Sequence, residues 1–167
     1  MPLKRCLRAY LTAVLLLSCA AVSDAQITTP SAPPTVVLPR LIITTNLLAG
    51  LPRRTVTVPA ENGESARYSG IDLGALLAKN GAPLGPALRG AAAADYALVT
   101  ATDAYRAVFA LAELDAALTD KIIILADERD GKPLDPKHGP FQIIVPDEKH
   151  HVRWVRNVRE IDVVAAP

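Results

Sequence analysis

The chain has 167 residues, half of them hydrophobic, with 18 Lys+Arg against 17 Asp+Glu and a formal charge of +1. That balance excludes a dedicated nucleic-acid binder, whose domain carries a strongly basic face. The only cysteines are Cys6 and Cys19, so no residue after position 19 can supply a disulfide, a thiolate nucleophile or a thiolate metal ligand.

Residues 1–25 read as a secretory signal. Lys4, Arg5 and Arg8 form a positive start, Leu11 to Leu17 an apolar core, and Ser23-Asp24-Ala25 a small-residue cleavage site before Gln26. The apolar run is well short of the roughly 20 residues that span a bilayer. Leu16-Leu17-Ser18-Cys19 also fits a bacterial lipobox, in which Cys19 would carry lipid. Both routes predict a periplasmic or secreted protein, touching a membrane only through a lipid anchor on Cys19. Loss of Lys4, Arg5, Arg8 and Asp24 with the signal leaves 15 basic and 16 acidic residues.

Residues 26–39 are rich in Thr, Ser and Pro and read as a flexible lead-in. Residues 40–167 then form one domain of ordinary size, beginning near the β-branched run 36–44. Arg54 to Val58 alternates with period 2 and predicts a strand. Glu61-Asn62-Gly63-Glu64 is turn chemistry. Leu73, Leu76 and Leu77 recur at helical spacing, with Ser69 or Asp72 to cap the start and Gly81 to end the helix.

Two strands follow, Asp95 to Thr100 and Tyr105 to Ala110, separated by a turn at 101–104. Leu111 to Leu118 predicts a short helix and Lys121 to Ala126 a buried strand. Asp130-Gly131 marks a turn, Phe141 to Val145 a strand, and Val152 to Val158 a helical turn. Arg159 to Val164 closes the domain as a strand with Ile161 and Val163 on one face. Many short strands with few helices predict an α+β, mostly-β domain, mixed-sheet or barrel-like.

Asp127, Glu128, Asp130 and Asp135 surround Gly131, but Arg129 breaks the calcium-loop pattern, and a solvated hairpin loop is the better reading. His138 reads as a loop residue. Adjacent His150 and His151 specify no third ligand, so no metal ligands are assigned. Ser65 and Ser69 lack a nucleophile context, and no catalytic residue is assigned. Lys149, His150, His151, Arg153, Arg156 and Arg159 crowd around Trp154. Were 152–158 helical, Arg153 and Arg156 would share a face. Planar guanidinium forks suit phosphate and carboxylate. Lys149, Arg153, Arg156 and Trp154 are therefore the candidate binding residues for an anion beside an indole, and a solvated basic rim is the alternative.

Several motifs occur together in order: Tyr68-Ser69-Gly70-Ile71-Asp72-Leu73 with Leu76-Leu77, Asp103-Ala104-Tyr105, Asp130-Gly131-Lys132-Pro133-Leu134, Gly139 to Pro146, and Arg153-Trp154-Val155. Over residues 50–164 the chain resembles the oxidoreductase molybdopterin-binding domain, the sulfite-oxidase-type fold. The resemblance implies a mixed α+β domain that binds molybdenum cofactor through polar contacts to pterin and phosphate. Catalytic members supply a cysteine thiolate to the metal from an upstream segment, for which only the lead-in stands here. Ala104 replaces a customary Gly, and Asp147 to Val152 replaces a Gly/Ser/Lys-rich phosphate loop. Two expectations stay open. One is an oxidoreductase-related protein that keeps molybdopterin or part of its site, with a possible periplasmic redox partner. The other is a cofactor-free periplasmic binding or interaction module.

Overall fold

The computed structural model describes residues 39–59 and 64–167. The expected signal and nearly all of the lead-in lie outside the described residues, as does most of the 61–64 turn. The order is β1 (Arg40–Ile42), α1 (Thr45–Leu48), β2 (Arg53–Pro59), β3 (Ser65–Asp72), α2 (Leu73–Lys79), β4 (Tyr96–Ala101), β5 (Arg106–Ala110), α3 (Leu111–Leu114), β6 (Ile124–Arg129), β7 (Lys132–Pro133), β8 (Gln142–Ile144) and β9 (Val158–Val164).

The strands make two antiparallel sheets. One runs β1-β9-β4-β5; the other runs β2-β3-β6-β7, with β8 also on β6. This is the α+β, mostly-β class with short helices. The sheets are tied at the β8 region, where Ile143 N donates to Val155 O at 2.9 Å and Val158 N to Phe141 O at 2.9 Å. Alternation explains the strands. Val56 and Val58 of β2, Ala97 and Val99 of β4, Ala107 and Phe109 of β5, and Ile161 and Val163 of β9 are all buried. They join Leu73, Leu76 and Leu77 of α2 in one apolar cluster.

The Tyr68-to-Leu77 stretch shows why its residues sit where they do. β3 runs into α2 without a loop, and Asp72 Oδ1 accepts from Ala75 N at 2.9 Å as the helix cap. Ser69, the other candidate cap, lies in β3. A Cβ on Gly70 would meet Leu125 O at 2.2 Å, and one on Gly74 would meet Leu114 O at 2.0 Å. Beside Gly70 the β3–β6 register shifts, leaving Asp127 as the extra residue, and Arg53 binds its carboxylate at 2.6 and 3.0 Å.

Several expectations need correction. Ser65 to Asp72 is a full strand that the sequence reading did not anticipate. The buried strand begins at Ile124 rather than Lys121 and runs on through the polar Asp127 to Arg129. The helix from Leu111 ends at Leu114, where Asp115 caps the following turn by accepting from Ala117 N. Val152 to Val158 is not helical. A single 3₁₀ turn spans His151–Arg153, and Asn157 then takes a left-handed conformation with φ 49°. The valine spacing that suggests a helix places Val155 and Val158 in the core and leaves Val152 in solvent.

The acidic cluster resolves into a hairpin. Asp130 and Gly131, both at positive φ, join β6 to β7, as a two-residue Asp-Gly loop favours. Asp130 Oδ1 also accepts from Arg67 N at 2.9 Å.

Candidate functional site

Four parts of the chain converge on one end of the second sheet. Tyr68 comes from β3 and Arg129 from β6. Lys137, His138 and Gln142 come from the 135–142 stretch, and His151, Trp154 and Arg156 from the segment before β9. All line a cavity of about 450 Å³. Two smaller cavities adjoin it. One shares Tyr68, Arg129, His138 and Gln142 and adds Lys132 and Asp135; the other shares Lys137, His151, Trp154 and Arg156 and adds Asp103, Tyr105 and Asn157. Together they form a cleft with aromatic walls and a basic rim.

The walls are held by specific bonds. Trp154 is buried and donates Nε1–H to Val145 O at 3.0 Å. Tyr68 meets the indole edge-on, with centroids 5.8 Å apart, and His151 stacks on it at 3.7 Å and 16°. Burial pushes the Tyr68 phenol above its ordinary value, Arg129 only partly opposing it, so it stays a neutral hydroxyl at neutral pH. Asn157 joins the two loops that flank the cleft. Its backbone N–H donates to His138 O and its Nδ2 to Lys137 O, each at 3.0 Å. Asn is among the few residues that adopt its left-handed backbone at low cost.

Asp135 organises the 135–139 turn. Its carboxylate accepts from Lys137 N at 2.8 Å and its oxygens lie 2.9 Å from His138 Nδ1. The imidazole hydrogen bond, helped by the backbone N–H of Lys137, holds the Asp135 carboxyl below the usual carboxylate range. An ionised Asp135 favours the His138 tautomer with hydrogen on Nδ1, which leaves Nε2 as an acceptor.

The four residues expected to bind an anion separate. Trp154 and Arg156 line the cleft. Lys149 is exposed and does not line it. Arg153 turns to the other side of the segment. There it pairs with Glu113 at 2.7 Å and Glu148 at 2.5 Å, donates to Val108 O at 3.2 Å, and lies over the Phe109 ring at 4.7 Å. Those carboxylates, the Glu113 hydrogen bond foremost, raise the Arg153 pKa further. The face shared by Arg153 and Arg156 does not form, because the helix it required is absent.

Sequence reasoning left Tyr68, Arg129, Lys137, His138, Gln142, His151 and Asn157 out of the site. Lys137-His138-Gly139-Pro140 was the readable signal, a basic pair entering a turn beside one of the resembling motifs. Among the described residues no group of three or more His, Cys, Asp or Glu side chains is placed to hold a metal ion, and no described helix is long and apolar enough to cross a membrane.

The family model of the oxidoreductase molybdopterin-binding domain matches residues 45–167. No curated protein sequence matches the chain. The match takes in both sheets from β2 onward and every residue of the cleft, and the chain belongs to the oxidoreductase molybdopterin-binding domain family.

Proposed function

We propose that this is an exported member of its family whose cleft holds the phosphate-bearing pterin of molybdopterin, and that the domain by itself does not perform sulfite-oxidase-type catalysis. The observation that carries the reading is the convergence of Arg129, Lys137 and Arg156 on one cavity walled by Tyr68 and Trp154. Lys137 and Arg156 have no ion pair among the described residues, so their charges are available to phosphate.

The organic part of the cofactor fits this donor set. Tyr68 and Trp154 offer apolar surface to a flat ring, and Arg156, Lys137 and Arg129 offer charge-assisted bonds to phosphate. The molybdenum end does not fit. Residues 39–167 contain no cysteine, and neither imidazole nor guanidinium reproduces a soft thiolate ligand. When bound with its metal, the cofactor supplies redox chemistry at molybdenum; a protein thiolate for that metal would have to come from outside these residues. The same lack of cysteine supports the second reading, a cofactor-free binding or interaction module.

Export is supported by the basic, apolar and small-residue pattern of residues 1–25. The mass of the mature protein should correspond to a start at Gln26 or at a lipidated Cys19. A mature chain retaining Met1 rules export out. The cofactor test is chemical. Protein purified from its natural compartment should release a fluorescent pterin on acid oxidation, without sulfite oxidation by the isolated domain. Protein that neither releases a pterin nor binds a phosphorylated heterocycle leaves the interaction-module reading.

A further inference from the structure

The edge strands of an open sheet carry unpaired N–H and C=O groups that template pairing with another chain, and folds blunt them. Most edges here are blunted. β1 and β7 have only three and two residues, and the far side of β8 is bonded to Val155. β5 is stoppered. Ala101 N donates to Tyr105 O and Leu111 N to Asp95 O, so the odd-numbered residues of β5 bond to β4, and Arg106, Val108 and Ala110 point outward. There Arg153 Nη1 donates to Val108 O at 3.2 Å, and Ala110 N to Glu113 Oε1 at 3.1 Å.

β2 is left open. It runs seven residues against β3 without a bulge. Arg67, opposite Thr57, turns its backbone to β6: its C=O accepts from Asp130 N and its N–H donates to the Asp130 carboxylate. Thr57 therefore exchanges no bonds with Arg67, and by the two-residue period Arg53, Thr55 and Thr57 direct N–H and C=O away from the sheet. Among the described residues nothing meets those groups. Beside the same edge, Pro52 and Arg54 border a cavity of about 360 Å³ also lined by Ala75, Ala78 and Leu84.

We infer that this edge is an interface on which a second copy of the chain pairs, β2 against β2, about a two-fold axis through Thr55. In that register Thr55 faces the partner's Thr55 and Arg53 faces the partner's Thr57, each pair exchanging backbone bonds. A register centred on Val56 would set Arg53 against Pro59, which has no N–H to give. Arg54 falls opposite the partner's Val56, so no two arginines oppose each other. The arginine charges are also already met, Arg53 by Asp127 and Glu128 and Arg54 by Asp72.

The test is sedimentation equilibrium of the full mature chain, which should show a monomer–dimer equilibrium. Thr55→Lys sets like charges face to face at the axis and should weaken dimerisation about tenfold. Thr55→Glu should do the same. An equimolar mixture of the two variants should recover wild-type affinity, because lysine then faces glutamate; a folding defect in either variant would not be repaired by mixing. A wild type that stays monomeric up to its solubility limit overturns the inference. Slow hydrogen exchange at the Thr55 and Thr57 amides of such a monomer would assign the edge to another stretch of the same chain. Variants that dimerise as tightly as the wild type, or a mixture no better than its components, also overturn it.

Discussion

Arg153 and Arg156 stand three residues apart and carry the same group, yet the fold uses them in opposite ways. Arg153 is flanked by two carboxylates, a strand carbonyl and an aromatic face, with its side chain 27% exposed. Its charge is spent holding the segment that bears His151 and Trp154 against β5 and α3. Arg156 is exposed and lines the cleft on the far side of Trp154, with no carboxylate paired to it among the described residues. A compensated cation is part of the structure. An uncompensated one beside a cavity is what a ligand can use.

The largest effect expected from this contrast is on binding. Lys137→Ala combined with Arg156→Ala should weaken ribose 5-phosphate binding by about 100-fold, roughly 3 kcal/mol for two charge-assisted contacts, in calorimetric titration. The thermal midpoint should stay unchanged, as exposed substitutions away from structural contacts usually do. Undiminished affinity in the double variant would break the contrast.

Arg153→Ala should do the reverse. It strands Glu148, whose Oε2 already lacks a partner, leaves Glu113 only Lys121 as a cation, and should cost about 2–3 kcal/mol of stability in urea denaturation, the lower range for a half-buried rather than fully buried network. Phosphate affinity per folded molecule should fall less than in the Lys137/Arg156 variant. Equal stability losses for Arg153→Ala and Arg156→Ala would erase the distinction.

The same network predicts a pH dependence. Burial pushes the Glu113 carboxyl up, but hydrogen bonds from Arg153 and Lys121 more than offset it, and the group lies below its ordinary value. A depressed carboxylate pKa contributes stability that is full above the unfolded-state value and is lost as pH falls through the folded one. The urea midpoints of wild type and Glu113→Gln should therefore differ most near neutral pH and converge as pH falls below about 4. A gap that stays constant into acid would mean that the ion pairs contribute nothing to stability.

The smallest effect concerns the turn that ties the clamped segment to the first sheet. Ala104 has φ 68°, a left-handed backbone that costs a residue with a Cβ. Tyr105 follows it and donates its hydroxyl to Val152 O at 2.6 Å. Ala104→Gly should stabilise by about 0.5–1 kcal/mol, the relief of strain being partly offset by greater freedom in the unfolded chain. A lower midpoint in thermal denaturation would show that the turn is not strained. The family's customary glycine at this position thus has a physical reason here.

Much of the fold was legible. Alternation marked β2 and β9, and β-like runs marked β4 and β5, because all four strands bury side chains in the shared core. The spacing of Leu73, Leu76 and Leu77, with Asp72 before them, marked α2 and its cap. β3 escaped notice because its buried positions include Ala66 and Gly70, small residues of low strand propensity, Gly70 standing where the β6 backbone approaches closely. The start of β6 was misplaced because Ile122 and Ile123 are apolar and β-branched yet pair with no strand, while the polar Asp127 to Arg129 is drawn into the sheet by β3 and β7.

The sequence by itself determined the mostly-β class, the family resemblance, the lack of a cysteine beyond residue 19 and the basic crowding around Trp154, since these depend on local pattern and composition. Only the tertiary structure decided which of those basic groups face a cavity. Glu113 lies 40 residues from Arg153 in the chain, and Lys137 and His138 reach Arg156 only because Asn157 fastens their loop beside it. The pairing of charges across such distances follows from strand order and loop docking, which no local spacing encodes.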